Sequence, residues 1–325
     1  MIQISEKAKL HMQGVTDQRE YKCLQIKEKE MIQDIEPKIF DNAYKKIQPG
    51  ADDPVFVFKG QSKRNDRVLM KVDEGDMIFP TVGEMKAWGA VEEDFTYLFS
   101  IDEEKYFLYM NFDKLSAQSS ASQENIPEET GEYSWERIVR FRRNLPQYRC
   151  FAGMTAYHLY DWYRANQYCG RCGRKAVHDQ KERMMRCSCG NMIFPKIAPA
   201  VIIGLRHGDS LMMSRYAGRE YKGRALLAGF CEIGETPEQT VVREVMEEVG
   251  LRAKNVTYYA SQPWGFDSNL LLGYYCDLDG DSEITLDKEE LASARFVARE
   301  DIEYDPNLLS LTATMIEAFR KGEDK

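Results

Sequence analysis

Three glutamates lie close together on one predicted helix, and their spacing suits the binding of divalent cations. Glu244, Glu247 and Glu248 stand at positions i, i+3 and i+4, which places three carboxylates on one helix face about one turn apart. Carboxylate oxygens are typical ligands of Mg²⁺ and Mn²⁺, and these ions also bind substrate phosphates. The pattern therefore predicts metal-assisted chemistry on a phosphate group. The alternative is a solvated acidic surface, which like charges at this spacing disfavour only slightly.

The residues around these glutamates predict where the helix begins and ends. Thr236, Pro237 and Gln239 supply an N-cap, a proline at the first helical position and a capping-box partner. Gly250 is a typical C-terminal stop. Four valines predict an apolar stripe that packs on a core while the acidic face turns outward to a site. They are Val241, Val242, Val245 and Val249.

Four of the eight cysteines fall within 21 residues, which is typical of a metal site rather than of disulfides in a cytosolic chain. Cys169 and Cys172 form a CxxC pair, and Cys187 and Cys189 form a shorter CxC pair. Four thiolates bind Zn²⁺ tetrahedrally and leave no open position, so the predicted zinc ion is structural. His178 is an alternative ligand, and four unliganded thiols are the remaining alternative.

Composition limits the class of protein. The formal net charge of −9 argues against a general nucleic-acid-binding protein, although a local basic groove for a substrate phosphate or an RNA end stays open. The 325 residues predict two domains, or two and a small module. No apolar run is long enough to cross a bilayer, and the first residues show no apolar signal region, so we expect the protein in the cytoplasm.

Short β-branched and aromatic runs after Asp53 predict a sheet in the N-terminal part of the chain. The runs are DPVFVFKG, RVLMKV, FTYLFSI and EKYFLYMNF. The next stretch, Leu115–Ser134, is rich in Ser, Gln and Glu, which predicts an exposed loop or a partly disordered insertion. Trp135–Arg143 has helical spacing and carries arginines. They favour a solvated face, and Arg140 is an alternative contact for a substrate phosphate.

A helix, the cysteine module and a second α/β unit follow. Ala152–Gln167 predicts an amphipathic helix that runs into the cysteines. Two apolar runs around His207–Asp209 predict a β-hairpin, and further strands and a closing helix follow to the end. The predicted division is residues 1–150, 151–196 and 197–325.

The stretch from Gly229 to Leu251 resembles the Nudix box, GX5EX7REUXEEXGU, in which U is a bulky aliphatic residue. All nine specified positions in these 23 residues are satisfied. They are Gly229, Glu235, Arg243, Glu244, Val245, Glu247, Glu248, Gly250 and Leu251. The resemblance implies an α/β protein with the Nudix fold, an α/β/α sandwich with a mixed sheet. It also implies an enzyme that hydrolyses nucleoside diphosphates linked to another moiety.

A second motif implies which Nudix enzymes the chain is similar to. Ser261–Trp264 resembles the start of SQPWPFPxS, which marks the NADH pyrophosphatases, a family that also removes NAD caps from RNA. The predicted zinc ribbon and the strand-rich α+β domain before it, residues 1–150, complete that family's architecture. Here the motif reads SQPWGFDSN, so Gly265, Asp267 and Asn269 replace two prolines and a serine. Losing two prolines predicts a looser loop and leaves substrate preference open.

The resemblance implies a role for each site residue. The divalent ions would be held by Glu244, Glu247, Glu248, Glu290 and the carbonyl of Ala228, with Glu248 the base or water-orienting group. Glu235 and Arg243 would orient the loop and the helix. Substrate would be contacted by Glu182, Phe194, Phe230, Gln262, Pro263, Trp264, Phe266 and Asn269, and by the backbone of Thr312. Phe194 and Phe230 would sandwich a flat base.

The predicted reaction is hydrolysis of NADH to NMNH and AMP, or of NAD to NMN and AMP, by in-line attack of a metal-polarised water. Two alternatives stay open. One is a Nudix hydrolase of ADP-ribose or of another dinucleotide or nucleotide sugar. The other is a non-catalytic nucleotide sensor or a zinc-ribbon nucleic-acid binder. The family resemblance also implies a homodimer.

Overall fold

The computed structural model describes residues 31–60, 65–73, 75–110, 132–142, 146–218, 223–303 and 309–324. The predicted insertion, Leu115–Ser134, lies outside them except for its last three residues. Within the described part of the chain, every helix is too short or too polar to cross a membrane.

The N-terminal part of the chain forms a sheet, as its β-branched and aromatic runs predict. Seven strands are described, in the order β1-β5-β6-β2-β3-β4, with β7 paired to β3. A short helix, α1 (Val82–Ala87), begins at the capping box of Thr81 and Glu84. The strands are β1 (Phe40–Asp41), β2 (Val55–Lys59), β3 (Arg67–Asp73), β4 (Asp76–Ile78), β5 (Phe95–Ile101), β6 (Glu104–Tyr109) and β7 (Ser134–Arg137).

The helix predicted over Trp135–Arg143 is wrong. Trp135 lies in β7 and pairs with Leu69 of β3, and a 3₁₀ helix, Ile138–Arg142, follows the strand. Sheet pairing has overridden the helical spacing. A short isolated helix is only marginally stable in water, whereas β7 gains backbone hydrogen bonds from the edge of β3. Arg140 instead pairs with Glu136, at 3.1 Å.

A long helix, α2 (Gln147–Ala165), packs on the N-terminal sheet. It carries the helical pattern predicted for Ala152–Gln167 but begins earlier, directly after Pro146. The predicted boundary between residues 150 and 151 therefore falls inside a helix, and the three-part division stays a prediction. After α2 comes a three-stranded ribbon, in the order β10-β9-β8. Its strands are β8 (Val177–His178), β9 (Met185–Arg186) and β10 (Met192–Ile193).

The C-terminal part of the chain forms a mixed sheet between two helices. The strand order is β14-β15-β11-β12-β16, with β13 also paired to β11, and β11 and β15 are parallel. The predicted hairpin is present, because His207 of β11 pairs with Ser210 of β12. The elements are β11 (Ala198–His207), β12 (Ser210–Tyr216), β13 (Leu227–Phe230), α3 (Pro237–Val249), β14 (Ala253–Trp264), β15 (Asn269–Leu278), β16 (Leu291–Ala298) and α4 (Leu311–Lys321).

Strand β11 shows why this sheet has a helix on each face. Val201 and Ile203 pack in the core beneath α3, whereas Ala200 and Ile202 pack in the core beneath α4. Successive strand residues point to opposite faces, so a continuous apolar run needs cover on both sides. The result is the predicted α/β/α sandwich.

One short segment joins the two parts of the molecule. Met31 packs in the core beneath α4, whereas the adjacent Ile32 packs in the core of the N-terminal sheet and α2. The backbone N–H of Ile32 also donates to the carbonyl of Leu309, just before α4, at 3.2 Å. The α4 side of the C-terminal sheet and the N-terminal sheet are thus connected through Met31 and Ile32, which lie far from α4 in sequence.

Candidate active site

Helix α3 begins and ends where its sequence predicts. Thr236 accepts from the backbone N–H of Gln239, and the Gln239 side chain accepts from the backbone N–H of Thr236. Gly250 ends the helix in the left-handed conformation, with φ of 69°. Of the predicted valine stripe, three members are buried, but Val242 is 44% exposed and does not belong to it.

The predicted acidic face is divided between the interior and solvent. Glu248 is 2% exposed and Glu244 is also buried, whereas the side chain of Glu247 is more than half exposed. A β-carbon at Gly229 of β13 would lie 1.9 Å from the carboxylate carbon of Glu244, so any other residue at this strand position would displace that carboxylate. The carboxylate of Glu244 therefore lies against β13. Because Glu244 and Glu248 are both buried, the prediction that the whole acidic face turns outward is wrong.

Arg243 connects the glutamates of this region. Its guanidinium donates to both carboxylate oxygens of Glu235, at 2.7 and 3.0 Å, and to Glu244 and Glu247, each at 2.7 Å. It also donates to the carbonyl of Phe230, at 3.0 Å. These bonds tie the loop before α3 to the helix, which is the orienting role expected of Glu235 and Arg243. The hydrogen bonds from Arg243 lower the pKa of Glu235 to about 2.

Burial raises the pKa of Glu244, and the nearby negative charges of Glu247 and Glu290 add to this effect while Arg243 opposes it. Glu290 precedes β16, and its carbonyl accepts from the backbone N–H of Ala217. Carboxyl groups from α3 and from the segment before β16 therefore influence one another. A buried acidic group with acidic neighbours is stabilised in its charged form by a bound cation.

These carboxylates are the type of ligand that a hard divalent cation prefers. The carbonyl expected to join them belongs to Ala228, which lies in β13. The carboxylate oxygens are not gathered into one tight group. Among the described residues, the four clustered cysteines form the single set of potential ligands whose atoms all lie within 4.8 Å of one another.

The four cysteines lie together as their spacing predicts. The sulfurs of Cys169 and Cys189 are 3.8 Å apart, and those of Cys172 and Cys187 are 3.5 Å apart. Asn191 donates to the sulfur of Cys169, at 3.4 Å. The CxC pair therefore closes the cluster without a second CxxC. His178 lies outside this set of four, with its ring 5.0 Å from that of Tyr163.

The two aromatic residues expected to hold a base are both accessible. Phe230 ends β13 and is 54% exposed, and Phe194 lies just before β11 and is 52% exposed. The chain around Phe230 is fixed by the pairing of this residue with Ala200 of β11. Glu182 is exposed on the ribbon, and Thr312 is half-buried in the first turn of α4.

The SQPW stretch and the turn after it are largely buried, with Pro263 as an exposed exception. Gln262 is fully buried, Phe266 and Asn269 are buried, and Trp264 is half-buried, whereas Pro263 is exposed. The Phe266 ring packs in the core of the N-terminal sheet and α2. Several of the residues expected to contact substrate thus lie where the two parts of the molecule meet.

Sequence reasoning missed the partners of Gln262. Its amide group donates to the side chain of Gln33, at 3.2 Å, and to the carbonyl of Leu309, at 3.1 Å. Its oxygen accepts from the backbone N–H of Leu311, at 2.8 Å. No sequence signal identifies Gln33, because it lies 229 residues from Gln262 in a segment without a motif.

Comparison with known proteins identifies the same family as the sequence motifs. A family model described as "NUDIX domain" matches residues 195–319. A relative described as "NAD-capped RNA hydrolase NudC", from Escherichia coli O1:K1, is 30% identical over 262 residues, covering 78% of this chain and 95% of the relative. A protein of the same description from Klebsiella pneumoniae subsp. pneumoniae is 38% identical over 160 residues, covering 49% of this chain and 62% of that protein.

Among solved structures, a NUDIX hydrolase from Nitrosomonas europaea is 18% identical, with a TM-score of 0.42, and covers 48% of this chain and 91% of its own. The E. coli relative is matched over nearly its whole length. Three glutamates of the box lie on α3, and Gly229 of the box lies on β13 beside Glu244. The chain therefore belongs to the Nudix hydrolases, in the family of the NAD-capped RNA hydrolases NudC.

Proposed function

We propose that this chain hydrolyses the pyrophosphate bond of NADH or NAD, giving AMP and NMNH or NMN, and that it removes NAD caps from RNA. The observation that carries the proposal is the pair of buried carboxyl groups of an intact Nudix box, Glu244, which lies against Gly229, and Glu248. The similarity to the NudC proteins over most of the chain supports the choice of substrate.

Glu244, Glu247, Glu248 and Glu290, with the carbonyl of Ala228, would hold Mg²⁺ or Mn²⁺. Such an ion polarises the phosphates and lowers the pKa of the attacking water. Glu248, the most deeply buried of these side chains, would be the base or the water-orienting group. Arg243 restrains Glu244 and Glu247 through its two 2.7 Å hydrogen bonds.

The four cysteines would hold a structural Zn²⁺. A tetrahedral site with Zn–S bonds of about 2.3 Å has sulfurs about 3.8 Å apart. The two measured sulfur separations, 3.8 and 3.5 Å, are close to that spacing. A ribbon with three two-residue strands buries little apolar surface of its own, so the metal supplies much of its stability.

The cytoplasmic location is an expectation from the sequence, and the homodimer is an expectation drawn from the family resemblance. Light scattering coupled to gel filtration measures the oligomeric state directly.

The test of the activity is steady-state hydrolysis of NADH, NAD, ADP-ribose and NAD-capped RNA side by side, with Mg²⁺ or Mn²⁺. We expect kcat/KM for NADH, NAD or NAD-capped RNA to exceed that for ADP-ribose, with mononucleotide products. If ADP-ribose is cleaved best, or if all substrates are cleaved equally well, the alternative of a broader dinucleotide hydrolase replaces the proposal.

A further inference from the structure

The turn that follows the SQPW residues lies directly on helix α2. A β-carbon at Gly265 would lie 2.5 Å from the carbonyl oxygen of Met154 and 3.0 Å from the β-carbon of His158. Both neighbours belong to α2, and the carbonyl is a backbone atom that cannot rotate away. Gly265 is therefore required for the turn to approach the helix this closely.

Two aromatic residues hold this turn in place. Phe266 is buried, its ring is 5.0 Å from that of Trp264, and the guanidinium of Arg142 lies 4.6 Å and 5.0 Å from the centres of these two rings. Contacts of this kind stabilise a turn through packing and cation–π attraction. The sequence predicts that losing two prolines loosens the turn, but the structure shows an alternative means of restraint.

The same surface of α2 also contacts the segment before β11. The Nε2 atom of His158 lies 2.8 Å from the carbonyl oxygen of Lys196, and it donates because a carbonyl only accepts. Two residues further on, the backbone N–H of Ala198 donates to the carbonyl of Ser268 in the turn, at 2.8 Å. The segment that carries the exposed ring of Phe194 is thus bonded once to α2 and once to the turn.

We propose that His158 is a positioning residue for substrate recognition. Through the carbonyl of Lys196 it fixes the segment of Phe194, and Gly265 allows the turn and His158 to share one surface of α2. This inference rests on the proposed function, because it takes Phe194 to contact a base of the substrate. It assigns His158 no contact with the substrate itself.

Three variants separate this role from simple stability. His158→Phe keeps a ring beside Gly265 but removes the donor, whereas His158→Gln keeps an N–H donor. His207→Phe is the matched control, since His207 ends β11 on the side away from Phe194 and its ring packs against Phe296. We measure the Kd of NADH by its fluorescence without divalent ions, together with KM, kcat and the melting temperature.

We expect His158→Phe to raise Kd and KM for NADH about 2- to 13-fold, the usual effect of losing one hydrogen bond, with kcat changed less than about 2-fold. His158→Gln should restore most of the affinity, and His207→Phe should change neither constant. A lower melting temperature with unchanged Kd and KM in His158→Phe would overturn the inference.

A double-mutant cycle with Phe194→Ala tests whether His158 acts through Phe194. We expect the double variant to bind NADH as weakly as Phe194→Ala alone. Fully additive losses would show that His158 acts elsewhere and would overturn the inference. Gly265→Ala is an independent variant that should produce the same rise in KM.

Hydrogen exchange separates failure of this inference from failure of the proposed function. If the wild-type enzyme does not cleave NADH, the proposed function fails, but exchange of the peptide spanning residues 194–198 still reports on His158. We expect faster exchange there in His158→Phe than in wild type or His207→Phe. Equal exchange in all three proteins would overturn the inference.

Discussion

At the scale of single residues, three glutamates of the Nudix box differ widely in solvent exposure. Glu248 and Glu244 are buried and Glu247 is not, although all three belong to the same helix. The sequence reveals their types and spacing but not this division, because burial depends on what each side chain meets in the fold, as the Glu244 carboxylate meets the strand at Gly229. Arg243 then offsets part of the negative charge.

Glu248→Gln should lower kcat for NADH by about 10²- to 10⁴-fold, the range for loss of a general base. The amide keeps the shape of the side chain but accepts no proton, so the melting temperature and the Kd of NADH should change little. Single-turnover kinetics measure the chemical step. Glu283→Gln, an exposed loop position, is the matched control. Undiminished turnover in Glu248→Gln would contradict the proposed mechanism and favour another base.

At the scale of elements, the ends of α3 and the strand runs are readable from sequence because they depend on local chemistry, such as the Thr236 capping box. The contacts of Trp135 and Val242 are not readable, because each depends on which neighbour the element meets. Trp135 extends a sheet, and Val242 faces away from the core. The SQPW residues show the same limit, since a motif does not reveal which side of its strand is covered.

Val241→Ala and Val242→Ala form a matched pair on α3. Val241 is fully buried and Val242 is 44% exposed, so the same substitution removes core contacts at one position and few at the other. We expect Val241→Ala to lower the free energy of unfolding by about 1–3 kcal/mol and Val242→Ala by less than about 0.5 kcal/mol. Urea denaturation measures both. Equal losses would contradict the observed orientation of the helix.

The bond between Glu235 and Arg243 predicts a pH dependence. The folded-state pKa of Glu235 is about 2, below the ordinary value of 4.5. The bond therefore stabilises the fold fully above pH 4.5, and this stabilisation is lost as the pH falls from 4.5 towards 2. Glu235→Gln should be less stable than wild type at pH 7, and the difference should shrink on acidification through this window. Unfolding midpoints recorded from pH 7 to pH 3 test this, and a constant difference would refute it.

At the scale of the whole molecule, the parts of the chain are held together by contacts that no local pattern predicts. Gln262 binds Gln33 and the start of α4, and Gly265 lies against α2. Gln33 lies 229 residues before Gln262, Gln262 lies 49 residues before Leu311 of α4, and Gly265 is more than a hundred residues from its neighbours on α2. The Nudix fold, the cysteine cluster and the N-terminal sheet were predictable separately, but their assembly was not.

Gln262→Ala should lower the free energy of unfolding by about 2–4 kcal/mol, because three hydrogen bonds are lost and buried partners are left without them. KM for NADH should change less than about 3-fold if the amide is fully engaged within the protein. Denaturant melts and steady-state kinetics on the same preparation measure the two quantities. A large rise in KM without loss of stability would restore the substrate contact implied by the motif.

The adjacent residues Met31 and Ile32 enter two different cores, and this has a practical consequence for dissecting the enzyme. A fragment limited to residues 197–325 would carry the complete Nudix box, yet it would lack Met31, which packs in the core beneath α4. It would also leave the buried amide of Gln262 facing water where Gln33 had been. We therefore expect such a fragment to be less stable than the full chain. The catalytic unit includes a segment that precedes it by more than 160 residues in sequence.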